Sequence, residues 1–476
     1  MNLRPPGTSA ASVAEATATG FGGPQTSGVP EAACTRRRFL QTCAATGAGL
    51  SAGPRLFGQA PAAPQNRPPN ILIISTDQWH HQVFSHLGYP GISTPHSDRI
   101  AQRSVRFSRS YAADPVCAPS RTSWITGRMP IEHGVIGNGH KVLPDIPDMG
   151  QWFSRHGYET AHFGKWHTSG RNPRKSHDHN HGMHPAGQYG DLSVAQMASA
   201  FLRGRHSRKP FLAHVAFMNP HDICQASCFY TGDEQLPIEA DQLPPLPDNF
   251  HARPDEPGTL LARVRNSHRR AMHKTWTDTD WRLYRWMYLR YCEMVDLAIG
   301  QVLDAFEASG EADRTLLLYT SDHGEGMGHH GLFTKAFMYE SAARVPFYLA
   351  LPGHTQPNTQ NDSIFTSGID LLPTCCAAAD LPPPPNLCGR DILAQYRGDQ
   401  PTRQTITCSA SFGGQLVRDD RYKLIAYRND PRVQLFDLQD DPDETVNLAP
   451  NQPRLVQQLR QAGEDFSRQL IPAPRA

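Results

Sequence analysis

The 476-residue chain lacks any run of about 18 apolar residues, which excludes a polytopic membrane protein. It lacks a charge excess as well: 46 basic and 45 acidic residues give +1, so no global field draws it onto nucleic acid or an anionic membrane. Its 10 cysteines include no CxxC pair and no zinc-ribbon spacing, and a chain this long needs no disulfide framework, so cysteine usage leaves the redox compartment open. No internal repeat marks a solenoid. What the chain does have is apolar material, 38% of residues, enough for a large core and too much for a disordered protein. The 38 glycines and 41 prolines predict long surface loops.

The first 34 residues are mostly small or polar and cannot build a core. Then Thr35-Arg36-Arg37-Arg38-Phe39-Leu40-Gln41 precedes a weakly apolar stretch at 43–50 and a small-residue site, Ala60-Pro61-Ala62. This resembles a twin-arginine export signal and implies a bacterial protein passed by the twin-arginine export machinery to the periplasm or beyond. Residues 1–62 are therefore read as a disordered N-terminus with its signal. Their removal takes away five arginines and two glutamates and leaves a nearly neutral chain.

Short apolar runs at 71–74, 160–163, 211–218, 315–319 and 345–351 alternate with helical patterns, the longest at about 281–309 with Gly310 as its stop. Continuous apolarity predicts strands buried on both faces. The fold class that follows is α/β: a large, mixed, mostly parallel central sheet flanked by helices, here assigned to 63–395. A Pro-rich stretch at 381–401 opens a small C-terminal α+β subdomain, 396–476, with a short antiparallel sheet at 415–418, 422–426 and 433–438 and a helix at about 453–470. Four of the runs lead at their carboxyl ends into reactive groups: Asp77, then Lys165 and His167, then His221, then Asp322 and His323. Ligands of open α/β sheets bind at that edge, so these residues predict one converging site.

The sharpest signal is Cys117-Ala118-Pro119-Ser120-Arg121, followed after four residues by Thr126-Gly127. Here the chain resembles the type I, formylglycine-dependent sulfatases of the alkaline phosphatase superfamily, and the resemblance runs over most of residues 68–450. It is carried further by GKWH (Lys165, His167), NPHD (His221), TSDHGE (Asp322, His323), Lys335 in GLFTKAFMYE, RYKLI and LFDLQDDPDETVNLA. The resemblance implies that a formylglycine-generating maturation enzyme oxidises Cys117 to an aldehyde (3-oxoalanine), whose hydrate is the nucleophile. Pro119 independently suits the first turn of a helix and would set residue 117 at a helix N-terminus, where an anion is favoured.

For such an enzyme the resemblance implies a metal shell of Asp77, Gln78, residue 117, Asp322 and His323. It gives His221 as proton donor to the leaving group, helped by Lys335, and His167 as the base that releases sulfate. Lys165, Lys335 and Arg121 then supply fixed positive charge. Oxygen donors suit Ca2+, with Mn2+ or Mg2+ as alternatives, because Gln78 and His323 replace the aspartate and asparagine found in many sulfatases. The same pattern resembles phosphonate monoester and phosphodiester hydrolases. A glycan-binding relative with unmodified Cys117 is a third reading, weakened by the full set of charged site residues. An exported, nearly neutral enzyme of this type is expected to remove sulfate from a carbohydrate. The His-rich segment 176–184 and the segment 132–140 are read as solvated or substrate-facing, with Asn138, His140 and His177 as expected sugar contacts.

Overall fold

The computed structural model describes residues 67–182, 186–225, 238–251, 253, 255–262, 275–411 and 413–473. The twin-arginine-type segment, the site at Ala60–Ala62 and His184 lie outside the described residues. No helix among the described residues is long and apolar enough to cross a membrane.

The apolar runs become strands, four of them a little longer than their runs and the one at 345–351 shorter. β1 (Asn70–Asp77), β3 (Glu159–Gly164), β5 (Phe211–Pro220), β6 (Thr315–Ser321) and β7 (Phe347–Ala350) join β2 (Val105–Tyr111), β4 (His179–Gly182) and β8 (Thr359–Ser367) in one eight-stranded sheet, ordered β4-β3-β5-β1-β6-β7-β2-β8. β1 pairs parallel with β5 on one side and β6 on the other, β3 with both β4 and β5, and β2 with β8, while β7 runs antiparallel to both its neighbours. This is the expected mixed, mostly parallel sheet.

Side chains on β1 show why the runs read as continuous. Leu72 and Ile74 enter the core beneath the helices Gly187–Gly204 and Asp278–Ala308, whereas Ile71 and Ile73 enter the core beneath Cys117–Thr126, Met149–Arg155 and Leu371–Ala378. Both faces are covered, so the strand period of two leaves no polar alternate. The long helix begins on a capping box, Thr277 with Asp280, and ends at Ser309, after which Gly310 turns with φ 71°.

The second sheet has four antiparallel strands, β9 (Ile406–Ala410), β10 (Gly414–Arg418), β11 (Tyr422–Tyr427) and β12 (Gln434–Asp437), in the order β12-β11-β10-β9. Val417, Leu424 and Leu435 pack against Leu459 of the helix Pro453–Gln469. The alternate residues Leu416, Ile425 and Phe436 pack with Tyr111, Tyr339 and Phe365 of the larger body. Residues 66–476 form one compact unit, and the helix Ile392–Arg397 spans the position where the subdomain was expected to begin. Among the described residues, β2, β4, β8 and β9 had no expected strand. β8 is polar and exposed over its first half and buried only over its last four residues, so no apolar run announces it.

RYKLI and DPDET have a structural use at this junction. Lys423, fully buried on β11, sits 2.9 Å from Glu340 and 2.7 Å from Glu444, and Glu444 in turn accepts the backbone N–H of Glu340 at 2.7 Å. Removing one partner of a buried ion pair leaves an uncompensated charge, so Lys423→Met should cost about 3–5 kcal/mol. Urea unfolding of the two proteins checks this; a loss below about 1 kcal/mol would mean the group is solvated like a surface pair.

Candidate active site

Four neighbouring strands deliver their carboxyl-terminal residues to one place. β1 ends in Asp77 and passes to Gln78, β6 passes directly to Asp322 and His323, β3 to Lys165, and β5 to His221. At the end of β3 the chain turns sharply at Gly164 (φ 93°), where a Cβ would lie 2.1 Å from the carbonyl oxygen of Ala216; only glycine fits there. The next amide, Lys165 N–H, donates to that same oxygen at 2.8 Å and fixes the lysine's starting point.

Cys117 is the first residue of the helix Cys117–Thr126, as Pro119 in its first turn predicted. Its residue exposure is 1%. The sulfur lies 3.0 Å from Lys335 Nζ, 3.2 Å from His323 Nε2 and 3.7 Å from Asp77 Oδ1. One turn along the helix, Arg121 donates from Nε to Asp322 Oδ2 at 2.7 Å and from its terminal nitrogens to Asp77 Oδ2, Lys165 O and Thr76 O. Lys165 Nζ meets Asp77 Oδ2 at 2.5 Å.

Three fixed cations thus face two carboxylates in a nearly sealed volume. Burial alone would raise the Asp77 carboxyl, but Lys165, His221, Lys335 and Arg121 hold it well below the usual carboxylate range. Asp322 has fewer cations: burial pushes it to about 6 against the pull of Arg121. Burial and Asp77 both oppose a thiolate at Cys117, yet Lys165, Lys335 and His323 bring the thiol well below its ordinary value. His221, hydrogen-bonded to Cys117, is pressed down to about 4 by burial, Lys335 and Lys165.

The donor set fits a divalent cation. Asp77, Cys117, Asp322 and His323 offer ligand atoms that all lie within 4.8 Å of one another. His323 Nδ1 bonds the carbonyl of Gly324 at 2.9 Å, which leaves Nε2 facing the cluster, the arrangement that orients a ligating imidazole. Gln78 stands against the same cluster, its N–H donating to Asp322 Oδ1 at 3.1 Å and its Oε1 accepting from Lys335 at 2.8 Å.

Of the remaining expected residues, His167 is half-buried two positions beyond Lys165 with φ 50°. Asn138 and His140 lie on an exposed turn, and Asn138 Oδ1 accepts the N–H of Ala118, beside Cys117, at 3.1 Å. His177 requires a correction: it is buried, not exposed to a sugar. Its ring packs 5.5 Å from both His162 and Trp166, with Gly150 of the helix Met149–Arg155 against it. Part of the His-rich segment is the edge strand β4, where His179 and His181 pair with β3 and pack on Phe201 and Phe163. The residue that sequence reasoning passed over is Glu325, fully buried behind Gln78; its only signal was the last letter of TSDHGE.

The family model for sulfatases matches residues 69–381, and that for the N-sulphoglucosamine sulphohydrolase C-terminal region matches 328–469. The chain is 29% identical over 443 residues to the Delta 4,5-hexuronate-2-O-sulfatase of Bacteroides thetaiotaomicron, covering 85% of this chain and 90% of that one. It is 27% identical to the ulvan-active sulfatase of Formosa agariphila, covering 80% and 77%. Among solved structures, a 2-O GAG sulfatase superposes with a TM-score of 0.75 at 28% identity, covering 85% of this chain and 93% of that one. The phosphonate monoester hydrolase of Agrobacterium radiobacter shares the fold, with a TM-score of 0.71 at 22% identity over 84% and 96%. A match across most of the chain, together with a cysteine at a helix N-terminus ringed by lysine, histidine and carboxylate, makes this chain a member of the sulfatase family.

Proposed function

We propose that the protein removes sulfate from a sulfated carbohydrate outside the cytoplasm, using as nucleophile residue 117 oxidised to Cα-formylglycine. The observation that carries this reading is the position of Cys117, buried at a helix N-terminus with Lys335 at 3.0 Å and His323 at 3.2 Å of its sulfur. The sulfur stands where the oxygens of the aldehyde hydrate would lie. The relatives named for hexuronate 2-O-sulfate and for ulvan support a carbohydrate substrate, and the resemblance of residues 35–62 to a twin-arginine signal supports export.

Asp77, Gln78, Asp322, His323 and residue 117 are the groups that would hold a divalent cation, Ca2+ in our reading with Mn2+ or Mg2+ as alternatives. When bound, it neutralises the ester oxygens and acidifies the hydroxyl that attacks. Lys335 and the helix N-terminus favour negative charge on the attacking oxygen of residue 117. Having lost its proton to solvent, the attacking oxygen of residue 117 bonds to sulfur as the bond from sulfur to the sugar oxygen breaks, and His221 gives the departing sugar oxygen a proton. Before substrate binds, His221 lies at about 4 because burial and two lysines oppose its charge. An incoming sulfate ester places a negative charge against those lysines, which favours the protonated imidazole. His167 then takes the remaining hydroxyl proton from residue 117; sulfate leaves, the aldehyde returns, and water restores the hydrate. Arg121 and Lys165 keep Asp77 and Asp322 ionised and in place throughout. Asn138, bonded to the helix start through the Ala118 N–H, and His140 on the same exposed turn are assigned to the sugar.

Gln78 and His323, which depart from many sulfatases, bear on a second chemistry, hydrolysis of phosphonate monoesters or phosphodiesters.

The tryptic peptide Ser110–Arg121, from protein co-produced with a formylglycine-generating enzyme, should carry the mass of an aldehyde at residue 117. Cys117→Ala should abolish turnover. Lys335→Ala should retain the fold and lower kcat by about 10²–10³. Paired aryl esters should show sulfate turned over faster than phosphonate; a phosphonate preference of orders of magnitude would overturn the sulfatase reading.

A further inference from the structure

Glu325 is fully buried, immediately behind the cluster, and no step above uses it. Its Oε2 accepts the amide Nε2 of Gln78 at 2.5 Å. Its Oε1 accepts from Tyr284 OH at 2.8 Å, Met327 N–H at 3.2 Å and Thr334 N–H at 2.6 Å. The ammonium of Lys335 has only hydrogens to give, so the oxygen of Gln78, 2.8 Å away, must face it and the amide nitrogen must face Glu325. The loop that carries Lys335 is held by the same carboxylate. Thr334 (φ 61°) and Ala336 (φ 73°) flank the lysine in the left-handed region, a conformation that side-chain-bearing residues keep only when surrounding contacts impose it.

We infer that Glu325 is the positioning residue of this site: it turns the Gln78 carboxamide so that its oxygen faces the cation cluster and Lys335, and it pins the Thr334 amide so that Lys335 reaches residue 117. This rests on the proposed function for its effect on turnover, though not for its geometry. A neutral glutamine offers one acceptor and one donor end, and only a fixed neighbour decides which end the cluster meets. An aspartate would need no such partner. Glu325 is what lets an amide stand at position 78.

The pair can be tested by exchanging it. In Glu325→Gln the new amide oxygen still serves Tyr284, Met327 and Thr334, but its NH2 now faces that of Gln78, so Gln78 either clashes or rotates and turns its NH2 to Lys335. In the double variant Gln78→Glu/Glu325→Gln every hydrogen bond has a counterpart, since the NH2 introduced at position 325 would donate to the carboxylate introduced at position 78, whose other oxygen would accept from Lys335. Two readouts apply: kcat on an aryl sulfate with the matured enzyme, and Ca2+ affinity by titration calorimetry on the unmatured Cys117 protein. Glu325→Gln should lower kcat at least thirtyfold and weaken Ca2+ at least tenfold with the thermal midpoint preserved. The double variant should regain at least tenfold in kcat and bind Ca2+ within about threefold of the parent or tighter. Ca2+ binding by Glu325→Gln equal to the parent's, or a double variant as impaired as the two single changes combined, would overturn the assignment. If Glu325→Gln alone does not fold, the double variant decides, because it too carries an amide at 325: folding with Ca2+ binding supports the pairing, and failure to fold refutes it. Absence of aryl sulfate turnover in the parent enzyme would count against the proposed function, and the calorimetric arm would still judge the pair.

Discussion

The site hangs on Arg121. From a single helical turn below residue 117 its guanidinium reaches the carboxylates at the ends of β1 and β6, the backbone carbonyl of Thr76 on β1 and that of Lys165 just past β3. Burial first, and the neighbouring Asp77 charge with it, pushes Asp322 up to about 6, so two carboxylates set so close together beside residue 117 need a cation to stay ionised. The planar fork answers both at once, which a lysine's single ammonium cannot do. Trp124, one turn further along the helix, sets its ring centroid 5.3 Å from the guanidinium carbon, a cation–π contact. The two lysines are arranged around this clamp, Lys165 on the β1 carboxylate and Lys335 on the sulfur of Cys117.

Much of this was legible in the sequence because the fold is of the kind that concentrates chemistry at strand ends. The runs preceding Asp77, Lys165, His221 and Asp322 are buried on both faces, so they stand out as apolar blocks, and the polar residue that ends each block stands out too. Strands without that double burial did not stand out: β8 is half exposed, and β4 consists of His-Asn-His-Gly. His177 went astray for a related reason. A histidine among other polar residues reads as surface, but the turn at Pro173–Lys175 carries the chain back so that the ring lies among His162 and Trp166. Glu325 was invisible because its role exists only through Gln78 and Lys335, and no spacing rule links positions 78, 325 and 335.

The second sheet adds no residue to the cluster, yet its attachment explains two of the motifs that carry the family resemblance. The lysine of RYKLI and the glutamate of DPDET meet Glu340 in the interior, so their chemistry is spent on joining the two sheets. Such a charged joint is costly to desolvate and intolerant of a missing member, and it ties the loop between β6 and β7, which also carries Lys335, to the small sheet. The stability of the C-terminal region and the placement of the site's lysine are therefore linked through one stretch of chain.

The near-total burial of Cys117 also sets a schedule. Its covering residues are synthesised long after it: His323, which touches the sulfur, lies 206 positions downstream, and Lys335 lies 218. Until those residues emerge and β6 inserts beside β1, the segment around 117 has no lid, and afterwards an enzyme of protein size has no purchase on a side chain in a residue that is 1% exposed. For the oxidation of residue 117 proposed above, the interval of chain growth and collapse is therefore when another protein could reach the thiol, and the long-range assembly of a parallel sheet would set its length.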